Sequence, residues 1–546
     1  MEAALDRAIR GQLALRGLRT VSAILFAAVV LYYAINLYGL PKKLGQFPTS
    51  VIAAAAAALV LAAIFLPRRR PPGAGWLVPG LLLGAVLCTV PFAFAQKEFG
   101  NGDVSAILFT LNENRTVDLT RIVLNDFPAE LIEHLVVMLA GVGSALLLMR
   151  WMPGGRTVIA LACLLAIGVS KPAEYLRYKA LGGADASVIV LERDFAEPQV
   201  EVRPARKRNL ILIYLESLER GYRVLPATAE AFAPLARLED QGFSARKVQQ
   251  VTGAHFTAGG LVASLCGVPL LSHGVFDTTA IGLGSADETG VFERFMPGIT
   301  CLGDILAGDG YTGSYLNGSD ARMFSINSFL VTHGFSRVVG MAEDARWAGS
   351  DERNIWGLND GVLFAEARAE ISRLQAAGDP FFLALLTTAT HGPDGFADPA
   401  CGPRPESGSG LPLAIACTAQ HLTALLAEID RMGLGEDTII AVMSDHLAMP
   451  NTLRDEMRTL GVHRDNLFFM TGDGIAPQIY DRPATTLDIF PTLLEAMGYR
   501  LAGNRANLGV SLLSGQPTLN ESLGREQLDR ALSLDTTLQE RIWAEP

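Results

Sequence analysis

The chain has 546 residues, 50% of them hydrophobic, and a formal net charge of −11 at pH 7. An acidic chain lacks the basic footprint that nucleic-acid binding needs, so no nucleic acid is expected as a partner. So apolar a chain of this length points to membrane-spanning segments rather than to one soluble core.

In chain order, the first 171 residues hold five apolar stretches: Val21–Leu40, Thr49–Leu66, Trp76–Ala95, Leu131–Met149 and Thr157–Val169. A span needs about 17–25 residues of low polarity. Four stretches meet this, and the fifth must borrow flanking residues. Arg7, Arg10, Arg16 and Arg19 precede the first stretch; Arg68, Arg69 and Arg70 follow the second; Arg150 and Arg156 separate the fourth from the fifth. Basic flanks mark cytoplasmic ends. The N-terminus is therefore expected in the cytoplasm, and five spans leave the rest of the chain outside it. Lys42 and Lys43 dissent, since they fall in the first outer loop. The first stretch also has the basic flank of a signal peptide, but its apolar core is long and further spans follow.

Residues 172–208 read as a juxtamembrane connector with one short possible strand, Val188–Leu191. The basic cluster Arg203, Arg206, Lys207 and Arg208 reads as solvated surface or as a headgroup contact. From Asn209 onward, continuous apolar runs at Leu210–Leu215, Phe381–Leu386 and Thr438–Met443 predict parallel strands buried on both faces. Helical patterns at Asn359–Leu374 and Leu413–Ile429 lie between them. Alternating strands and helices predict a layered α/β domain over 209–546 with a mainly parallel central sheet. Pro393–Gly410, rich in Gly and Pro, predicts a long loop.

Cys88 and Cys163 fall in membrane stretches. The other four cysteines form no CxxC spacing. Outside the cytoplasm they can close two disulfides, expected as Cys266–Cys301 and Cys401–Cys417, with buried free thiols as the alternative for the first pair.

Each apolar run ends in residues able to perform chemistry, and ligands of open α/β sheets bind beyond the carboxyl ends of strands. The first run ends in Glu216-Ser217, the second leads to His391, and the third ends in Ser444-Asp445-His446. Glu216, Asp445 and His446 offer oxygen and imidazole ligands for a divalent cation, which would polarise a phosphoryl or sulfuryl oxygen. Thr257, ahead of Ala258-Gly259-Gly260 and an apolar run, reads as a helix N-cap or as a nucleophile beside backbone N–H groups. There is no P-loop, HExxH, GxSxG or dinucleotide fingerprint.

The segments Tyr214–Arg220, Thr257–Leu270 and Ser444–Thr452, in this order, resemble the phosphoglycerol transferases of osmoregulated periplasmic glucans. These are grouped with the lipoteichoic acid synthases in a sulfatase-like branch of the alkaline phosphatase superfamily. The resemblance covers nearly the whole chain. It implies a multi-span helical membrane domain carrying a periplasmic α/β/α sandwich of alkaline phosphatase/sulfatase type, in the inner membrane. It implies Glu216, Thr257, Asp445 and His446 as ligands of one divalent cation, Mn²⁺ ahead of Mg²⁺ or Zn²⁺, with Thr257 as nucleophile. His391 is implied to hold the phosphoryl group or assist proton transfer, and Arg322 to bind the headgroup. Trp356-Gly357-Leu358 with Asp360 also resembles a family segment and reads as packing. The chain departs from the glucan enzymes at Pro450, where they carry Asn. The implied reaction moves phosphoglycerol from phosphatidylglycerol to periplasmic glucan through a phosphoglyceryl-threonine, releasing diacylglycerol. Alternatives are a phosphoethanolamine transferase, a membrane-tethered sulfatase or phosphodiesterase, and a non-catalytic scaffold for polymer assembly.

Overall fold

The computed structural model describes residues 2–38, 76–98, 104, 128–152, 154–180, 189–271, 294–406, 408–449, 451–461 and 463–545. The described residues fall into two compact units that divide after residue 182. The second apolar stretch, the Arg68–Arg70 cluster, Lys42, Lys43 and Pro450 lie outside the described residues.

The first unit is helical: α1 (Glu2–Tyr38), α2 (Leu77–Glu98), α3 (Pro128–Trp151), α4 (Gly155–Gly168) and α5 (Lys171–Ala180). Segments of α1, α2 and α3 are each long and apolar enough to cross a membrane. The short fifth stretch meets that test only when α4 is joined to α5, from which it bends by 59°. Many large apolar side chains here, Leu83, Leu139 and Leu161 among them, face outward, as lipid-facing side chains do. Toward the ends of α1 and α2 and the start of α3, the polar side chains satisfy one another. Lys97 Nζ lies 2.7 Å from Glu133 Oε2, and Tyr32 donates to Glu133 Oε1 at 3.0 Å.

The second unit is built on an eight-stranded sheet: β1 (Asn209–Leu215), β2 (Phe243–Ala245), β3 (Thr312–Asn317), β4 (Arg337–Val339), β5 (Phe381–Leu386), β6 (Thr438–Ser444), β7 (Phe468–Gly472) and β8 (Gln478–Tyr480). In these labels the spatial order is β8-β2-β7-β6-β1-β5-β3-β4. Every pairing is parallel except the two made by β7. The predicted strands are therefore present, and they form the middle of the sheet.

Strand alternation divides the core. Leu210, Leu212 and Tyr214 of β1 pack on one face with α7 (Thr257–Cys266) and with the helix Ile489–Ala496. Ile211, Ile213 and Leu215 pack on the other with α6 (Ala229–Gln241), α8 (Asp360–Ala377) and α9 (Leu411–Arg431). This is the expected α/β/α sandwich. α9 is also long and apolar enough to span a membrane, but Leu411, Ile415, Leu422 and Leu425 are buried against the sheet.

Within the range read as a connector, Leu191–Asp194 forms a 3-10 turn rather than the end of a strand. The Leu191 N–H donates to Asp535 Oδ2 at 2.7 Å, and Val200–Val202 pairs with Arg500–Leu501. The basic cluster is largely engaged: Arg203 pairs with Asp309 and Arg208 with Asp473, both at 2.7 Å. Cys266–Cys301 and Cys401–Cys417 are both joined as disulfides.

Candidate metal centre and nucleophile

Register builds the site. Leu215 of β1 lies beside Ser444 of β6 in a parallel ladder. One step further along each chain come Glu216 and Asp445, so two carboxylates meet at the rim between adjacent central strands. Both are buried, as is His446. His446 Nε2 lies 3.4 Å from Glu216 Oε1 and 3.3 Å from Asp445 Oδ2. Its Nδ1 lies 2.8 Å from Leu447 O, so Nδ1–H donates to that carbonyl and Nε2 is the nitrogen turned to the two carboxylates.

Local bonds lock the two carboxylates. Ser217, at φ 52°, turns its N–H onto Asp445 Oδ1 at 2.9 Å and its hydroxyl onto Glu216 Oε1 at 2.7 Å. The Glu216 N–H donates to Thr387 Oγ1, and Thr390 Oγ1 donates to Glu216 O. Three residues on, buried Glu219 takes Arg464 Nε at 3.0 and 2.9 Å and the Ala448 N–H at 3.2 Å. Arg464 also donates to Ala448 O at 2.5 Å. This clamp fixes the loop that follows His446.

The electrostatics are those of a site built around positive charge. Burial, then Glu216, pushes the Asp445 carboxyl up to about 8. Burial opposes protonation of His446, but Asp445 and Glu216 outweigh it and raise the imidazole to about 10. Burial also penalises ionised Glu216, yet His446 and His391 hold it well below the usual carboxylate range. Asp445 Oδ2 is buried with no hydrogen-bond partner. Two facing carboxylates, one orphaned oxygen and one imidazole nitrogen within 4.8 Å of one another fit a divalent cation. Two further groupings among the described residues have similar spacing, but Cys301, Cys401 and Cys417 are spent in disulfides.

Thr257 is the first residue of α7, and Phe256 is the N-cap. The expected cap position is thus off by one. The Thr257 hydroxyl turns toward Glu216 Oε2 at 3.5 Å. Gly260 explains how α7 comes so close to the rim. A Cβ there would stand 1.8 Å from Asp445 O, and one at Gly259 would stand 2.2 Å from Gly253 O. Helix-interior glycines cost about 1 kcal/mol each relative to alanine; here they let backbone touch backbone.

His391 Nδ1 lies 2.8 Å from Gly392 O, and its Nε2 lies 3.9 Å from Glu216 Oε1. Trp356 does more than fill space: it stacks on the His391 ring at 3.7 Å and 24°. Buried Asp360 accepts the N–H groups of Thr388 and Ala389 and the hydroxyl of Thr418. Burial pushes its carboxyl up to about 6. Arg322 precedes the 3-10 turn Met323–Ser325. It is half-exposed and bonds Asp320 at 3.0 and 2.7 Å, although nearby Phe324 packs on Phe256, beside Thr257. Two residues escape sequence reasoning. His255 is held down to about 3 by burial, then by Arg525 and His446. Arg525 lies on the helix Arg525–Leu534 and bonds Asp529, which accepts the Thr252 N–H at 2.9 Å. Only proximity in the fold links them to the rim.

A family model described as Sulfatase matches residues 208–499. Phosphoglycerol transferase I of Xanthomonas axonopodis pv. citri (strain 306) is 32% identical over 452 residues, 79% of this chain and 61% of that protein. Phosphoglycerol transferase I of Escherichia coli (strain SE11) is 32% identical over 78% of this chain and 54% of its own length. The chain thus spans between about half and three-fifths of the length of these curated relatives. Among solved structures, the lipoteichoic acid synthase LtaP from Listeria monocytogenes is 15% identical with a TM-score of 0.49, covering 65% of this chain and 97% of that one.

Proposed function

The chain belongs to the sulfatase family, and from that premise we propose that it is an inner-membrane phosphoglycerol transferase, taking phosphatidylglycerol as donor and periplasmic glucan as acceptor. The observation that carries this reading is the Thr257 hydroxyl. It stands at a helix start, 3.5 Å from a carboxylate oxygen of a buried Glu216–Asp445–His446 cluster. The relatives named phosphoglycerol transferase I supply the choice of group transferred.

In this reading Glu216, Asp445, His446 and Thr257 would hold one divalent cation, Mn²⁺ ahead of Mg²⁺ and Zn²⁺. When bound, it offsets negative charge on the phosphoryl oxygens and favours ionisation of a neighbouring hydroxyl. Thr257 Oγ1 attacks the phosphorus of phosphatidylglycerol, and the phosphorus–oxygen bond to diacylglycerol breaks. Phosphoglyceryl-Thr257 and diacylglycerol result. The proton lost by Thr257 ends on the diacylglycerol oxygen, with His391 Nε2 the suited carrier. The N–H groups of Ala258 and Gly259, in the first turn of α7 and without intrahelical acceptors, favour an anion there. In the second displacement a sugar hydroxyl attacks the same phosphorus, gives up its proton through His391, and Thr257 regains its hydroxyl. Arg322 would exchange Asp320 for the headgroup. The apolar helices keep the enzyme in the bilayer that holds its donor. The basic flanks support a cytoplasmic N-terminus and a periplasmic sandwich.

The test is label transfer by the detergent-purified, Mn²⁺-loaded protein from headgroup-labelled phosphatidylglycerol. Label in glucan and release of diacylglycerol are expected, both lost in Thr257→Ala. Turnover retained by that variant would remove Thr257 as nucleophile. A folded, metal-loaded protein that releases no diacylglycerol would remove the donor.

A further inference from the structure

A second concavity adjoins the His391 loop. It is a cleft of about 570 Å³ between the long loop 393–410, residues 351–354 and the first turns of α8. That volume lies within the range of small-molecule sites. Both walls are tied to the loop that carries His391. Asn354 Nδ2 donates to Thr388 Oγ1 at 3.1 Å on one side, and the Gly395 N–H donates to His391 O at 3.1 Å on the other.

The loop is braced as a wall rather than left slack. The Cys401–Cys417 disulfide fastens it to α9. Asp398 Oδ2 takes His421 Nε2 at 2.8 Å and the Gly361 N–H at 2.7 Å. Arg404 pairs with Asp394, whose Oδ1 takes the Gly410 N–H at 2.8 Å and the Thr452 hydroxyl at 3.0 Å. A wall ordered in advance spares a ligand that entropic cost.

The lining narrows the ligand class. Asp351, Glu352 and Asp398 contribute negative charge, and Arg353, Arg404 and His421 contribute balancing cationic groups. Charged groups set among the apolar side chains of both walls do not suit an acyl chain, which offers them no hydrogen bond. A buried carboxylate whose Oδ1 lacks a hydrogen-bond partner disfavours a phosphate, and two arginines disfavour a simple amine. A neutral ligand that both donates and accepts hydrogen bonds fits, and sugar hydroxyls do both. Phe396 adds an apolar surface for a ring face. We propose that this cleft binds an uncharged saccharide chain and presents one of its hydroxyls toward His391. Delivery of that hydroxyl to phosphoryl-Thr257 rests on the function proposed above; the binding of sugar does not.

The test uses the full chain in detergent, with neutral gluco-oligosaccharides as probe and with glycerol 1-phosphate and ethanolamine as comparison ligands, read by calorimetry and ligand-observed NMR. The wild-type protein should bind the sugar in preference to both comparison ligands. Ala365→Trp, which fills the cleft from α8, should weaken sugar binding at least tenfold with an unchanged melting temperature. Arg353→Ala, at an exposed position, gives the same reading if the tryptophan prevents folding. Unchanged sugar affinity in the folded variants would overturn the proposal. So would a wild-type protein that prefers either comparison ligand, or one that binds no sugar. Diacylglycerol release by the wild type is followed in the same preparation. Sugar binding without release retires the reaction and keeps the cleft; release with unchanged sugar affinity in the variants keeps the reaction and retires the cleft.

Discussion

Two clusters in the sandwich draw on nearly the same residue types and come to opposite ends. At the central rim, Glu216, Asp445 and His446 are buried together with an Asp445 oxygen left without a hydrogen-bond partner. On the long loop, Asp398 and His421 neutralise each other at 2.8 Å beside cysteines that are already bonded. The first is electrostatically unfinished and calls for a cation. The second is nearly complete and works as a clasp. Residue type and spacing do not separate a metal centre from a brace, and each cluster keeps one carboxylate oxygen without a hydrogen-bond partner; the balance of charge separates them, two carboxylates facing one imidazole at the rim and one facing one on the loop. Glu219 makes the same point within one motif. It lies three residues from Glu216, is as deeply buried, and is fully occupied by Arg464 and a backbone N–H.

That contrast can be broken in several ways. The largest effect is expected from Asp445→Asn. Cation binding should weaken at least 100-fold, and turnover should fall on the order of 10³-fold. The cation-free variant should melt no lower than wild type, because the amide keeps an acceptor for the Ser217 N–H and replaces a carboxyl that burial and Glu216 already favour in its neutral form. Equal metal content in the two proteins, measured by mass spectrometry of dialysed samples, would end the metal reading. Replacing both Cys401 and Cys417 by Ser opens a closure 16 residues apart in sequence, for about 3 kcal/mol of stability. Denaturant titration should show that loss while metal content stays the same. A drop in metal content would mean that the clasp and the centre are not independent.

Gly260→Ala is expected to cost about 1–3 kcal/mol, although the same change in an open helix gains about 1. Its Cβ would collide with Asp445 O, so activity should fall with stability. A more stable, fully active variant would refute the close-contact account. The smallest effect concerns pH. The hydrogen bond to Asp398, against burial, raises His421 above its ordinary 6.5. The stabilisation is therefore fully present below pH 6.5 and lost as pH rises through the higher folded value. Asp398→Asn should cost about 0.5–1 kcal/mol more at about pH 5.5 than at about pH 8.5. A pH-independent difference would mean the pair carries no charge.

Much of this is legible in the sequence. β1, β5 and β6 announce themselves because strands buried on both faces must be apolar throughout, and their ends mark the rim. The strands at β2, β4 and β8 are three residues each. They exist through pairing with neighbours, and no periodicity fits in so short a run. Glu216, Asp445 and His446 were legible for the same reason as the strands that carry them. The Trp356 stack on His391 and the cleft beside the long loop depend on contacts between segments far apart in sequence. The one-residue shift at Thr257 reflects how little separates an N-cap from a first helical residue in sequence.

Gly260 leaves the chain a narrow path through mutation. A crowded side chain can often be exchanged for a smaller one, and the lineage drifts onward by small steps. A position where the α-carbon of a helix rests against the carbonyl just beyond a strand offers no smaller step, because every other genetically encoded amino acid brings at least the atom that does not fit. Any descendant that changes this residue must first move α7, and the hydroxyl at its start moves with it. The spacing between Thr257 and the rim is in that sense inherited with a single residue that has no side chain of its own.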